Sequence, residues 1–177
     1  MVDWQKLYDR YYADNRALYD LLLTHSRCVA DKALDVLNRH PEIEADAGFV
    51  EEASMLHDIG IFLTDAAPIH CFGEHPYIAH GYLGAELLRK EGLPRHALVC
   101  ERHTGTGLSV EEIVARGLPV PHRDMCPISL EEILICYADK FFSKTRPTEE
   151  KDTAGVERSL AKFGDEGILR KWHEMFG

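Results

Sequence analysis

Six side chains of this sequence share one chemistry. His25, His57, His80 and His103 are imidazoles, Asp58 and Asp139 are carboxylates, and each stands among apolar neighbours. His25 falls in line with Val29 and Val36. His57 and Asp58 adjoin at the end of the apolar stretch "SMLHDIGIF". His80 precedes Gly84 by four residues and so shares its helical face, and a glycine there lets another group approach the backbone closely. His103 leads into the small-residue run Thr104-Gly105-Thr106-Gly107, and Asp139 follows "ILICYA" on one stripe with Ile135 and Phe142. Any one of these alone reads as a hydrogen-bonded core residue or an accident at a helix end. Carboxylates, however, are rarely buried without a partner, and an unpaired buried charge is expensive. One cause covers all six. Imidazole and carboxylate are the ligands of borderline divalent metals, namely iron, manganese, cobalt, nickel and zinc. Binding such an ion turns buried polar groups into a source of stability.

The elements that must position these groups are helical, because the apolar spacing repeats with helical period nearly throughout. Trp4, Leu7, Tyr8, Tyr11 and Tyr12 predict a first helix over residues 3 to 22. A second carries His25, Cys28, Val29, Ala33, Val36 and Leu37 and ends near Asn38 to Pro41. Phe49, Val50, Ala53 and Leu56 predict a third, stopped by Gly60. A loop rich in Pro, Gly and His is expected over 64 to 76. Ile78, Tyr82, Ala85 and Leu88 predict a fourth helix, and Pro94 opens a fifth over 94 to 103. "SVEE" at 109 and "SLEE" at 129 carry the capping-box pattern and start helices over 110 to 116 and 130 to 143. Two more fit 151 to 163 and 166 to 175. No stretch alternates long enough for a strand. The expected architecture is one all-α domain over residues 1 to 177.

The formal net charge of -10 argues against a nucleic-acid partner. It also makes binding of a phosphorylated substrate puzzling unless metal ions supply local positive charge. The five cysteines are scattered without a C-x-x-C pair, as expected of reduced thiols. The polar N-terminus is no signal peptide and no apolar run spans a membrane, so a cytoplasmic protein without a membrane partner is expected. The aromatic stripe Trp4, Tyr8, Tyr11, Tyr12 suits either internal packing or a homodimer contact.

The order His25 … His57-Asp58 … Asp139 resembles the H…HD…D pattern of the HD-domain metal-dependent phosphohydrolases, and "HDIG" at 57 to 60 reads as the HDIG variant. His80 in "HGYLGAELL" and His103 in "CERHTGTGLS" are similar to the added ligands of the dinuclear branch. Within it, "HPYIAHGYLGAELL", "RHTGTG" and "YADK" resemble the bacterial HD-type symmetrical diadenosine tetraphosphatases, and resemble even more a related group of HDIG proteins known only as predicted hydrolases. The resemblance covers about residues 20 to 145, taken as the core of an HD-type helical bundle with flanking helices at both ends.

The resemblance implies one metal on His25, His57, Asp58 and Asp139, and a second on His80 and His103 with Asp58 bridging. Iron is the metal it implies first, with manganese or other divalent ions as alternatives. It implies a small phosphorylated substrate of nucleotide type, with His57 and Asp58 at the centre of catalysis. Candidates to hold phosphate oxygens are Lys140, Lys144 and Arg146, which follow Asp139, and Arg102 and Thr104, which flank His103. Two departures stand out. Ile61 replaces the lysine that often follows the doublet motif, and the 108 to 128 segment is longer than in the tetraphosphatases. His70 and His75 are expected to be exposed rather than proton donors. Two alternatives remain: a single-metal nucleoside monophosphate phosphatase needing only His25, His57, Asp58 and Asp139, and a nucleotide-binding sensor without turnover.

Overall fold

Helix starts are written into the sequence as short polar side chains. Asp3, Asn15, Asp46, Ser109 and Ser129 each accept a hydrogen bond from the backbone N–H three residues on, and each such cap is worth about 1 kcal/mol. In the computed structural model, which describes residues 2–161 and 165–177, they open α1 (Trp4–Tyr11), α2 (Arg16–Arg39), α3 (Ala47–Leu56), α6 (Val110–Arg116) and α7 (Leu130–Asp139). The others are α4 (His80–Lys90), α5 (Pro94–Arg102), α8 (Thr153–Ala161) and α9 (Glu166–Phe176). The capping boxes form only in part. Ser109 and Ser129 cap as expected, but the Glu132 carboxylate accepts from the Ile128 N–H at 2.9 Å rather than from Ser129.

Three expectations change. The single helix over 3 to 22 is two elements, because Asn15 caps a new helix that then runs unbroken through residue 22 and carries His25 on its third turn. The expected loop at 64 to 76 contains a small sheet, order β2-β1-β3, made of β1 (Thr64–Ala66), β2 (Cys71–Phe72) and β3 (His75–Pro76). β1 pairs antiparallel with β2 (Asp65 opposite Phe72) and parallel with β3 (Thr64 opposite His75). Strands of two or three residues are too short to show a period. The helix expected over 130 to 143 ends at Asp139; of the helix expected over 151 to 163, Thr153–Ala161 is described, and residues 162 and 163 lie outside the described ones.

The fold remains a helical bundle. α2 lies against α3 and α7, and α4 against α5. Two apolar clusters fill it. One joins the C-terminal half of α2 to α3, α7, α8 and α9 through Val29, Val36, Phe49, Leu134, Leu169 and Phe176. The other joins α1 and the start of α2 to α4 and α5 through Tyr8, Leu18, Leu22, Leu88 and Cys100. The 108 to 128 segment holds its own small cluster, Leu108, Ile113, Val120 and Met125, closed by reciprocal backbone bonds between Leu108 and Met125 at 3.0 and 2.8 Å.

Candidate metal centre

All six candidate ligands converge. His25 comes from mid-α2, His57 and Asp58 from the turn after α3, His80 from the first residue of α4, His103 from the end of α5, and Asp139 from the last residue of α7. All are buried, His25, His57 and Asp58 completely so. The Asp58 carboxylate divides the cluster. Its Oδ2 lies 3.2 Å from His25 Nε2 and 3.0 Å from His57 Nε2. Its Oδ1 lies 3.4 Å from His80 Nε2 and 3.2 Å from His103 Nε2. Asp139 Oδ1 completes the first group, 3.0 Å from His25 Nε2 and 3.5 Å from His57 Nε2.

The tautomers are set by the backbone. His57, His80 and His103 each direct Nδ1 at the carbonyl three residues before, Ser54, Tyr77 and Cys100, at 2.6, 2.6 and 2.7 Å. Facing a carbonyl, Nδ1 must carry the proton, which leaves the Nε2 lone pair aimed inward. The Nε2 atoms of His80 and His103 therefore meet lone pair to lone pair at 3.1 Å. Acceptors facing acceptors at these distances repel unless a cation stands between them. The residues thus form two groups, sharing Asp58, that could each hold a metal ion: His25, His57, Asp58 and Asp139, and Asp58, His80 and His103. The His57 Nε2 atom is buried without a well-formed hydrogen bond, and Asp58 Oδ2 is met at ion-pair distance by His25, His57 and Lys144.

The electrostatics divide the same way. Burial opposes charge on His57, but the Asp58 and Asp139 carboxylates outweigh it and raise its pKa to about 9. Burial pushes His80 down to about 3 and lowers His103. Against burial, His57 and Lys144 hold Asp58 well below the usual carboxylate range, and Lys140 and His25 do the same for Asp139. Proton and metal ion would compete for the same His57 nitrogen.

Of the expected phosphate contacts, Thr104, Lys140 and Lys144 line a cavity of about 280 Å³ over His80, His103 and Asp139. The Lys140 ammonium is tied to Asp139 Oδ2 at 2.7 Å and to the His103 carbonyl at 3.0 Å. The Lys144 ammonium lies 2.6 Å from Asp58 Oδ2. The other two point elsewhere. Arg102 forks onto Glu132 at 2.9 and 3.1 Å, and exposed Arg146 pairs with Glu149 at 3.3 Å. His70 and His75 are exposed and line no part of this cavity.

Several supports were not legible as such. Tyr8 and Tyr12 are buried rather than displayed; their hydroxyls donate to the carbonyls of Met55 and Ile59, the latter at 2.7 Å, on either side of His57-Asp58. Gly60 is not a stop by conformation, since its φ of -87° suits any residue. It is a contact. A Cβ there would stand 2.4 Å from the His80 carbonyl oxygen and 2.5 Å from the Gly84 nitrogen. Gly84 lets the backbones of the turn and α4 touch, as its place four residues after His80 suggested.

The family model of the HD domain matches residues 22–143. The chain belongs to the HD domain family. Among its relatives is a protein of Methanocaldococcus jannaschii named only as uncharacterized, 34% identical over 142 residues, covering 79% of this chain and 75% of the relative. Two more are named tRNA (cytidine(56)-2'-O)-methyltransferases. That of Thermoplasma volcanium is 30% identical over 125 residues, 70% of this chain and 32% of its own. That of Picrophilus torridus is 33% identical over 128 residues, 72% of this chain and 33% of its own. This HD domain thus matches about a third of the length of either methyltransferase. None of the three is named a diadenosine tetraphosphatase, so the finer resemblance gains no support from them. No solved structure matches this chain significantly. Among the described residues, no helix is long and apolar enough to cross a membrane.

Proposed function

We propose that this HD domain is a metal-dependent phosphohydrolase acting on a small phosphorylated substrate of nucleotide type. The observation that carries the reading is the inward convergence of four Nε2 atoms and two carboxylates, three of the imidazoles locked by backbone carbonyls. Nitrogen and oxygen donors without thiolate suit iron or manganese, with cobalt, nickel or zinc as substitutes. Bound there, divalent ions supply water activation near neutral pH and neutralise charge on phosphoryl oxygens. The chain's own part is positioning. Asp58 offers one oxygen to each group. Lys140, pinned by Asp139 and the His103 carbonyl, fixes the Asp139 carboxylate. Lys144 and Thr104 stand at the cavity wall, where an ammonium and a hydroxyl would meet phosphate oxygens. This local positive charge offsets the -10 of the whole chain.

The methyltransferase names belong to chains about three times longer than the segment shared, and the net charge opposes a tRNA partner. The single-metal alternative leaves His80 and His103 without a task, and their 3.1 Å Nε2–Nε2 approach speaks against it. The test is elemental analysis with phosphate release from a nucleotide panel. Wild type should hold close to two equivalents, His80→Ala and His103→Ala close to one, and Asp58→Ala none with no activity. An Asp58→Ala variant with full metal and full activity would end the reading.

A further inference from the structure

A second cavity, of about 270 Å³, opens beside the metal pocket and shares Tyr77 and Lys144 with it. Its far wall is carbon, from Ala66, Pro68 and Ile69 on β1 and the turn that follows. At the rim, the hydroxyls of Ser143 and Thr145 bond to each other at 2.8 Å. The positioning described above makes no use of this space.

The wall is held firmly. β1 is paired on both edges, and Ile69 and Cys71 are anchored in the core. Between them His70 adopts a left-handed φ of 63°, and its carbonyl accepts from the Asn15 side-chain amide at 2.9 Å. A residue held in that conformation is over-determined by its surroundings, and Asn15 caps the helix that carries His25. This open, mostly apolar hollow with a few polar groups at its edge, continuous with the metal pocket through Tyr77 and Lys144, offers one face to a flat organic ring. The cavity on the other side of the metal pocket is smaller, about 180 Å³, and includes Glu112, Arg116 and Asp165 in its lining.

We infer that the apolar side cavity is the subsite for the organic end of a nucleoside phosphate, the base lying against Ala66, Pro68 and Ile69 with the phosphate in the metal pocket and Lys144 at the junction. The inference rests on the phosphohydrolase reading for where the phosphate lies. It also separates this end from a sugar alone, because a carbon wall favours a flat, weakly hydrated ring over a shell of hydroxyls.

The experiment is calorimetric binding to the manganese-loaded full chain, using inorganic phosphate and the non-hydrolysable phosphonate analogues of AMP and of glucose 6-phosphate. The AMP analogue should bind about tenfold tighter than phosphate, and the sugar analogue about as phosphate does. Pro68→Trp and Thr145→Trp fill the cavity from exposed positions; each should abolish the gain for the AMP analogue and leave phosphate binding and metal content unchanged. The inference is overturned if the AMP analogue binds no tighter than phosphate, if the sugar analogue gains equally, or if both variants keep the gain. Phosphate release from AMP, scored separately on wild type, tests the hydrolase reading rather than this one.

Discussion

Replacing Gly60 by Ala tests whether the glycine of HDIG acts by contact. The added Cβ would lie 2.4 Å from the His80 carbonyl oxygen, 2.5 Å from the Gly84 nitrogen and 2.7 Å from its Cα, all backbone atoms that cannot rotate away. Reaching ordinary contact requires the start of α4 to retreat from the His57-Asp58 turn by about 0.6–1.0 Å, in a core that is close-packed. Overpacking of this kind costs about 1–3 kcal/mol, which for a chain of this size lowers Tm by about 2–12 °C. The second effect is specific. Ligand distances tolerate about ±0.2 Å, so the same retreat takes His80 out of reach of an ion shared with Asp58 Oδ1, now 3.4 Å from His80 Nε2. The group formed by His25, His57, Asp58 and Asp139 takes no ligand from α4 and should survive. Differential scanning calorimetry with elemental analysis reads both effects: a lowered Tm, and metal falling from two equivalents toward one. Gly117→Ala is the control. Its φ of 58° makes alanine cost about 1 kcal/mol, yet it caps α6 with nothing within 4 Å of the new Cβ, so metal content should not change. A Gly60→Ala protein with wild-type Tm and two equivalents would refute the contact argument.

Lys144→Met removes the ammonium 2.6 Å from Asp58 Oδ2. Breaking one side of a buried pair costs about 3–5 kcal/mol, so the Tm of chelator-treated protein should fall clearly and that of metal-loaded protein less, because the ions replace the lost countercharge; equal shifts would refute this. Tyr12→Phe leaves the buried Ile59 carbonyl without its donor, at a cost of about 1–3 kcal/mol by denaturant unfolding. Glu101 is buried between Arg89, at 3.0 Å, and Arg123, and against burial these arginines lower its pKa. Its stabilisation is therefore present above the unfolded value of about 4.3 and lost as pH falls through the lower folded value, so Glu101→Gln should flatten the pH dependence of unfolding below about pH 4. Burial pushes the Cys71 thiol to about 11 and Cys136 to about 12, and raises Cys100 well above its ordinary value. An aromatic disulfide reagent at pH 8 should label Cys28 and Cys126 first and the other three only on unfolding.

What the sequence disclosed was the chemistry, because polar side chains on apolar faces stand out against a helical period. His25 beside Val29 and Val36, and Asp139 after "ILICYA", are visible anomalies whose partners had to lie across the bundle. Residues that serve by packing leave no such mark. Tyr8 and Tyr12 form an aromatic stripe that an internal core and a dimer face would produce alike, and only the carbonyls of Met55 and Ile59, more than forty positions away, decide between them. Gly60 looks like punctuation until the backbone of Gly84 is placed against it. The ribbon at 64 to 76 is held by pairing and by Asn15 rather than by alternation, so its three short strands are invisible to a period-two reading.

The charged residues near the site show the same limit from the other side. Lys140, Lys144, Arg146 and Arg102 are all cations near a candidate ligand in the sequence, where only adjacency to Asp139 favours Lys140. What separates them is the partner each meets. Arg102 and Arg146 meet Glu132 and Glu149, whose carboxylates satisfy them away from the cavity. Lys140 and Lys144 meet the candidate ligand carboxylates of Asp139 and Asp58. A cation whose counterion is a metal ligand has a reason to move when that ligand is taken by an ion, and Lys144, standing between the metal pocket and the apolar cavity, has a place on either side to move to. That is why the difference in Tm between metal-loaded and chelator-treated Lys144→Met protein, rather than its activity, bears most directly on how the charge of this site is arranged.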